Sequence, residues 1–267
     1  MKQLNITFIG GGNMCEALVS GLINAGHHGS QITVSDVSVP RLETLASAYK
    51  VNTTNDNIAA VKEADVIVLA VKPQTMHDVL AHMGTSIPED ATVVSIAAGV
   101  GIDKMKQAAK RPNLNFVRVM PNTPALLGAG MSVLFSQASQ EHQDRAEYIL
   151  AASGATAWVN EERLLHAVTA VSGSGPAYFF LLAETLTAAG VTLGLPKALA
   201  VQLANQTAMG AGRMLAESGR EASVLRSQVT SPGGTTQAAI DMMYECDLPL
   251  AVRKAVQAAA KRSKELG

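Results

Sequence analysis

The sequence predicts an α/β domain with a mostly parallel, doubly wound sheet over residues 1–160, followed by an all-α domain over residues 161–267. Three observations predict it. Short β-branched runs alternate with helical stretches in the first part, as in a parallel sheet with crossover helices. A glycine turn follows the first of those runs directly, and in the second part Ala, Leu, Met and Gln displace the β-branched runs.

The expected strands lie at 4–9, 32–35, 66–71, 92–96, 115–120, 131–135 and 155–158, with helices near 13–25, 40–49, 75–83, 102–109 and 140–152. Long helices are expected at 176–190, 196–216 and 248–264. Several of their faces carry many alanines and little charge, as over 198–214, which is more apolar surface than one small bundle leaves exposed. Self-association through this half is therefore expected.

Lys plus Arg number 21 and Asp plus Glu 22, a net charge of −1. That balance favours neither nucleic acid nor an anionic membrane as a partner, and points to a small solute. Cys15 and Cys246 are far apart and lack a metal-ligand spacing, so free thiols, no metal site and a reducing compartment are expected. The first residues enter a strand and a glycine turn instead of a long apolar leader, and no uncharged apolar stretch is expected to reach membrane-spanning length. The expected location is the cytoplasm.

The segment 6–14 reads ITFIGGGNM, a strand that runs into glycines and then a helix beginning near Asn13. Gly10 makes the tight turn, Gly11 continues it, and Gly12 lets the backbone approach a pyrophosphate resting on the helix N-terminus, beside Asn13 and Met14. This reads as a Rossmann-type dinucleotide fingerprint, the alternative being a plain strand-to-helix turn. Cys15 stands where the third glycine usually lies and should push strand and helix slightly apart. After the second strand, Ser35 and Asp36 suit an adenosine ribose, and Asp36 would repel a 2′-phosphate, favouring NADH. Ser35, Ser38 and Arg41 could together receive that phosphate if Asp36 turned outward. Further strand ends, Ala70, Val71, Lys72 and Pro73, then Ala98, line the same crevice. Asn57 opens a crossover helix, where capping is its alternative role.

A second feature, Ser231, Pro232, Gly233, Gly234, Thr235 and Thr236, sits in front of a helical run expected at 237–245. Pro232 fixes the chain direction, the glycines allow close approach, and unpaired amides at a helix start suit a carboxylate. An ordinary helix start capped by Ser or Thr is the alternative. The histidines compete poorly for a catalytic role: His27, His28, His77, His82 and His142 are expected to be solvated, and His166 to be a satisfied, partly buried side chain.

Taken in order, IGGGNM at 9–14, AVKPQ at 70–74, SIAAGV at 95–100, MPNTPA at 120–125, VSGSGPAY at 171–178 and SPGGTT at 231–236 resemble pyrroline-5-carboxylate reductase, in register over nearly the whole chain. The resemblance implies reduction of 1-pyrroline-5-carboxylate to L-proline by NADPH or NADH, the last step of proline biosynthesis. It also implies a Rossmann-type domain and a helical domain that dimerises, often into a ring of dimers, a decamer. Carried over, Gly10, Gly11, Gly12, Asn13 and Met14 would hold the pyrophosphate, with Ser35, Val37 and Asn57 near the adenosine ribose. Val71 to Pro73 with Ala98 would border the nicotinamide half, above a floor that includes Met120, Pro121 and Asn122. Ser231, Gly234, Thr235 and Thr236 would bind the substrate carboxylate, Thr236 also serving the ring nitrogen as the catalytic hydroxyl. Glu162 and Gln228 would face the same pocket.

The chemistry fits this residue set. A protonated cyclic imine is already a strong electrophile, and hydride addition neutralises its charge, so no strong acid is needed. Orientation can then carry the reaction, up to roughly 7–11 kcal/mol in favourable cases. Two other readings remain at this stage. A hydroxyacid dehydrogenase of related architecture typically uses a helical Lys as acid, and 166–190 contains none. A nucleotide-sensing protein without turnover would be expected to show a degraded second site, whereas SPGGTT is intact.

Overall fold

The computed structural model describes residues 4–266. Its contacts separate two compact units, one made of the described residues up to Gly173 together with those from Ala259 onward, the other Ser174–Ala258.

In the first unit, eight strands form one sheet: β1 Ile6–Ile9, β2 Ile32–Ser35, β3 Asn52–Thr54, β4 Val66–Leu69, β5 Thr92–Ser95, β6 Asn115–Met120, β7 Gly130–Ser136 and β8 Gly154–Trp158. Their order is β3-β2-β1-β4-β5-β6-β7-β8. All neighbours are parallel except β6 and β7. The crossover helices are α1 Asn13–Asn24, α2 Val39–Tyr49, α3 Asn57–Val61, α4 Met76–Met83, α5 Ile102–Ala109 and α6 Gln140–Ala151. The inner strands β1, β4, β5 and β6 are near-continuous buried runs because both faces of the sheet are covered there. Alternation divides them: Ile6, Phe8, Val66 and Val68 pack with Leu18, Leu22 and Ile149 in one layer. Ile67, Leu69 and Val93 pack with Leu80, Met83 and Met105 in the other. Each such fully buried aliphatic side chain contributes roughly 1.5–3 kcal/mol. After β8 come α7 Leu165–Val168 and a π-helical turn, Thr169–Gly173.

The second unit holds α8 Gly175–Thr192, α9 Lys197–Glu217, α10 Ala222–Gln228, α11 Thr235–Glu245 and most of α12 Leu248–Leu266. α8 and α9 pair through small residues, with the Gly190 backbone close against Ala200 and with Ala200 and Ala204 buried. Large side chains elsewhere face outward: Phe179 is 62%, Phe180 67% and Leu193 85% exposed in the single chain.

Several expectations need correction. β3 was not expected as an element of its own, whereas the crossover helix opening at Asn57 is present as α3. β3 is a polar trio at the sheet edge, Asn52 and Thr53 exposed and Thr54 half-buried, and shows no apolar alternation. α11 begins at Thr235, two residues earlier than expected, so both threonines lie inside its first turn. One stretch, Glu162–Thr192, is long and apolar enough to cross a membrane by length and composition, contrary to expectation, with 17% of its most apolar window buried. Cys15, at the third-glycine position, is a core residue. It is fully buried among Phe8, Leu18 and Leu22, and burial pushes its thiol up to about 12.

Two histidines expected in solvent are core residues. His27 Nδ1 lies 3.0 Å from the Tyr148 hydroxyl, and His142 Nδ1 lies 2.8 Å from Thr92 Oγ1. Burial lowers the pKa of each. The unfolded chain therefore takes up protons at these sites before the folded one, so their contribution to stability is complete above the ordinary histidine range and is lost as pH falls through it. The urea midpoint is expected to drop between pH 7.5 and 5.5 and to drop less in His142→Gln; the same pH dependence in the variant and the parent chain would contradict this account.

Candidate active site

β1 lies between β2 and β4, so the chain leaves its neighbours in opposite directions and a crevice opens at the carboxyl ends of the strands. The glycine turn sits there. Gly10 N donates to Ser35 O at 2.7 Å, and Ala70 N donates to Ile9 O at 2.8 Å, which ties the loop to both flanking strands. Gly10 has φ +100°, and a Cβ on it would stand 2.7 Å from the Ala70 carbonyl oxygen, so only glycine fits. Gly12 is the residue before α1, with no side-chain cap on the helix start and no atom within 4 Å of the place a Cβ would occupy. Asn13 is exposed and Met14 half-buried beside it. An open glycine followed by uncapped amides fits the pyrophosphate of a dinucleotide.

The ribose end is more committed than the sequence implied. Ser35 is buried, and its hydroxyl donates to Asn57 Oδ1 at 2.6 Å. Asn57 is not the helix cap; Asp56 is, accepting from Ile58 N at 2.9 Å and Ala59 N at 3.1 Å. Asp36 accepts from Gly11 N at 2.6 Å and from Ser38 N at 2.8 Å. Val37 stands 94% exposed, an apolar side chain left open at the strand end.

Other expected residues follow along the same edge of the sheet. Ala70 and Val71 lie against the glycine turn. Lys72 is exposed, and its carbonyl accepts from the Thr75 amide at 3.1 Å and hydroxyl at 3.0 Å as the chain turns at Pro73. Ala98 is half-buried beyond β5. At the end of β6, Pro121 is buried, and Asn122 accepts from Met131 N at 2.8 Å while donating to Ser172 O at 3.1 Å. Met120 packs on Gly173 so closely that a Cβ there would lie 2.4 Å from the methionine Cε. Asn122 is thus a brace joining β6, β7 and the π-helical turn.

Glu162 has two partners: its Oε1 accepts from Ile102 N and from Arg118 Nη1, both at 2.9 Å. The carboxylate therefore caps α5 and pairs with a buried arginine. Together with Lys104, Arg163 and His166 they line a cavity of about 340 Å³. His166 is half-buried and satisfied, its Nδ1 3.0 Å from Ser263 Oγ, and burial foremost, then the Arg118 charge, lower its pKa.

Within the helical unit, Gly234 N donates to Ser231 O at 3.0 Å, Pro232 holds the second position of the turn and Gly233 the third at φ +71°. That is the pattern of a type II turn, which demands glycine at its third position. A Cβ on Gly234 would meet Ser231 Oγ at 2.6 Å, so the serine hydroxyl lies over the loop. Gly234 precedes α11 without a side-chain cap, leaving the first-turn amides of Thr235 and Thr236 available. Gln228, the last residue of α10, is exposed and accepts from Arg220 at 3.0 Å.

Residues 162–266 match the family model for pyrroline-5-carboxylate reductase dimerisation. The whole chain is 41% identical to pyrroline-5-carboxylate reductase of Pseudomonas aeruginosa, over 98% of that protein. The chain belongs to the pyrroline-5-carboxylate reductase family. A solved pyrroline-5-carboxylate reductase of Coxiella burnetii is 39% identical with a TM-score of 0.94, covering 100% of this chain and 99% of that one. The Plasmodium falciparum enzyme, solved with NADP bound, is 29% identical with a TM-score of 0.87 and covers 100% and 99%. Residues 5–99 also match a model described as NADP oxidoreductase, coenzyme F420-dependent. As a member of this family the chain is an oxidoreductase that uses NAD(P)H, takes a small-molecule substrate and self-associates through its dimerisation region. That region contains the apolar stretch Glu162–Thr192. Sequence reasoning passed over Arg118 and Glu16. A lone arginine inside the apolar run NFVRVM was a legible signal, because a charge there must find a partner.

Proposed function

We propose that this chain reduces 1-pyrroline-5-carboxylate to L-proline with NAD(P)H, the last step of proline biosynthesis, with the substrate carboxylate held at 231–236. The observation that carries the residue assignment is the Ser231–Gly234 turn, with the Ser231 hydroxyl over the loop and the first-turn amides of α11 behind it. When bound, NAD(P)H supplies the hydride. Gly10 to Met14 hold the pyrophosphate, Ser35, Asp36, Val37 and Asn57 border the adenosine ribose, and Asp36 tilts the preference toward NADH. Ala70 to Pro73, Ala98 and Met120 to Asn122 border the nicotinamide half.

Ser231, Gly234 and the Thr235 amide grip the carboxylate, and Glu162 and Gln228 are assigned to substrate binding with them. The imine carbon receives the hydride while its C=N π electrons pass to nitrogen, which already carries its proton and becomes a neutral amine. Thr236 Oγ1 hydrogen-bonds that nitrogen and fixes the ring face presented to the hydride. The labour divides near residue 161, the nucleotide before it and the substrate and dimer contacts after it. Free thiols and the charge balance favour the cytoplasm, with neither membrane nor nucleic acid as a partner. The exposed Phe179, Phe180 and Leu193 favour a dimer, with a decamer as further assembly.

Thr236→Ala is expected to lower kcat about 10- to 100-fold through lost orientation of the ring toward the hydride, with the thermal midpoint unchanged; an unchanged kcat would remove Thr236 from the mechanism. Mass measurement in solution at micromolar concentration is expected to give at least twice the single-chain mass, and a clean monomer would contradict the dimer.

A further inference from the structure

Asp36 and Arg41 both follow β2 beside the glycine loop, and both are occupied. The carboxylate of Asp36 takes the Gly11 and Ser38 amides. Arg41 is drawn to the glycine loop instead: its Nε donates to Gly11 O at 2.5 Å and its Nη2 to Gly12 O at 3.4 Å. What holds it there is Glu16, on the first turn of α1, whose Oε2 accepts from Arg41 Nη2 at 2.6 Å. Glu16 is itself braced, because Oε1 accepts from the Tyr49 hydroxyl at 3.2 Å. The backbone of Gly11 is thus gripped at its N–H by an acid and at its carbonyl by a base, and the base is tethered by a second acid.

We propose that Glu16 is a positioning residue for cofactor choice: by tethering Arg41 to the glycine loop, with Tyr49 as brace, it withholds a guanidinium that would otherwise reach a 2′-phosphate. Arginine is the side chain best suited to that group, since its fork matches phosphate oxygens. Its Nη2 nitrogen is spent on Glu16 and Gly12, while Asp36 adds negative charge at the same strand end. The discrimination against a 2′-phosphate therefore has two parts, the acid at the ribose and the acid behind the arginine. The second is adjustable, because the Arg41 and Glu16 side chains are only 26% and 30% exposed yet not sealed from water. This inference rests on the NAD(P)H reading of the glycine loop.

The test is calorimetric binding of adenosine 2′,5′-bisphosphate and of 5′-AMP to the full chain, in the parent protein, in Glu16→Gln and in Glu16→Gln with Arg41→Ala. Glu16→Gln is expected to tighten the bisphosphate about fivefold, the scale of one partly exposed ion pair, while 5′-AMP moves less than about twofold. Adding Arg41→Ala is expected to erase the gain. Equal weakening of both ligands in Glu16→Gln would show that Glu16 only stiffens the loop and would overturn the proposal, as would no change in either. Failure of the parent chain to bind 5′-AMP would overturn the nucleotide site itself.

Discussion

The contact between the Gly10 backbone and the Ala70 carbonyl fixes the geometry from which the nucleotide site follows. A side chain at Gly10 would collide with β4 at 2.7 Å, so the loop after β1 can turn there only with glycine at φ +100°. With the turn made, Gly12 and the start of α1 are presented at the crevice where the sheet reverses its winding. Asp36, Arg41 and Glu16 then hold the loop in that conformation by its own backbone groups. The site is an arrangement of backbone amides, and the side chains around it serve mainly to keep those amides aimed.

The reaction explains why so few titratable groups are committed to chemistry. A protonated imine loses charge when it accepts hydride, so the site needs orientation and a hydrogen-bonding hydroxyl more than a proton donor. The buried histidines have structural roles instead. His27 pairs with Tyr148 and His142 with Thr92, while Cys15 is locked in the protonated form by burial. Arg118, the buried cation of the strand region, is matched by Glu162, which also caps α5. Removing either partner would leave an uncompensated group in a poorly solvated place, which is why such a pair persists even where its net contribution to stability is small.

Much of this fold was legible because both faces of the sheet are covered. Strands buried on two sides are written as unbroken apolar runs, so β2 and β6 were read with their observed bounds, and the alternation of strand and helix gave the parallel topology. β3 was illegible for the opposite reason: Asn52–Thr54 is polar and lies at the exposed edge, where pairing with β2 alone defines it. His27 and His142 were misread because their local neighbours are polar or charged while their partners come from 121 and 50 residues away. The start of α11 was placed two residues late because β-branched threonines are weak helix formers, and first-turn positions tolerate them. In the candidate site the glycine turns were legible as backbone requirements. The grip of Asp36 and Arg41 on Gly11 was not, since it depends on the end of β2 and the start of α2 meeting the loop after β1 in space.

The central claim is that a dinucleotide held at the glycine loop reduces a cyclic imino acid, with Asp36 setting the cofactor preference. Initial rates with 1-pyrroline-5-carboxylate, measured with NADH and NADPH in parallel, test it most directly. The account predicts L-proline formed in step with cofactor oxidation, and a higher kcat/KM for NADH than for NADPH. Binding of both cofactors without turnover would contradict the reaction, and a large advantage for NADPH would show that Asp36 does not set the choice.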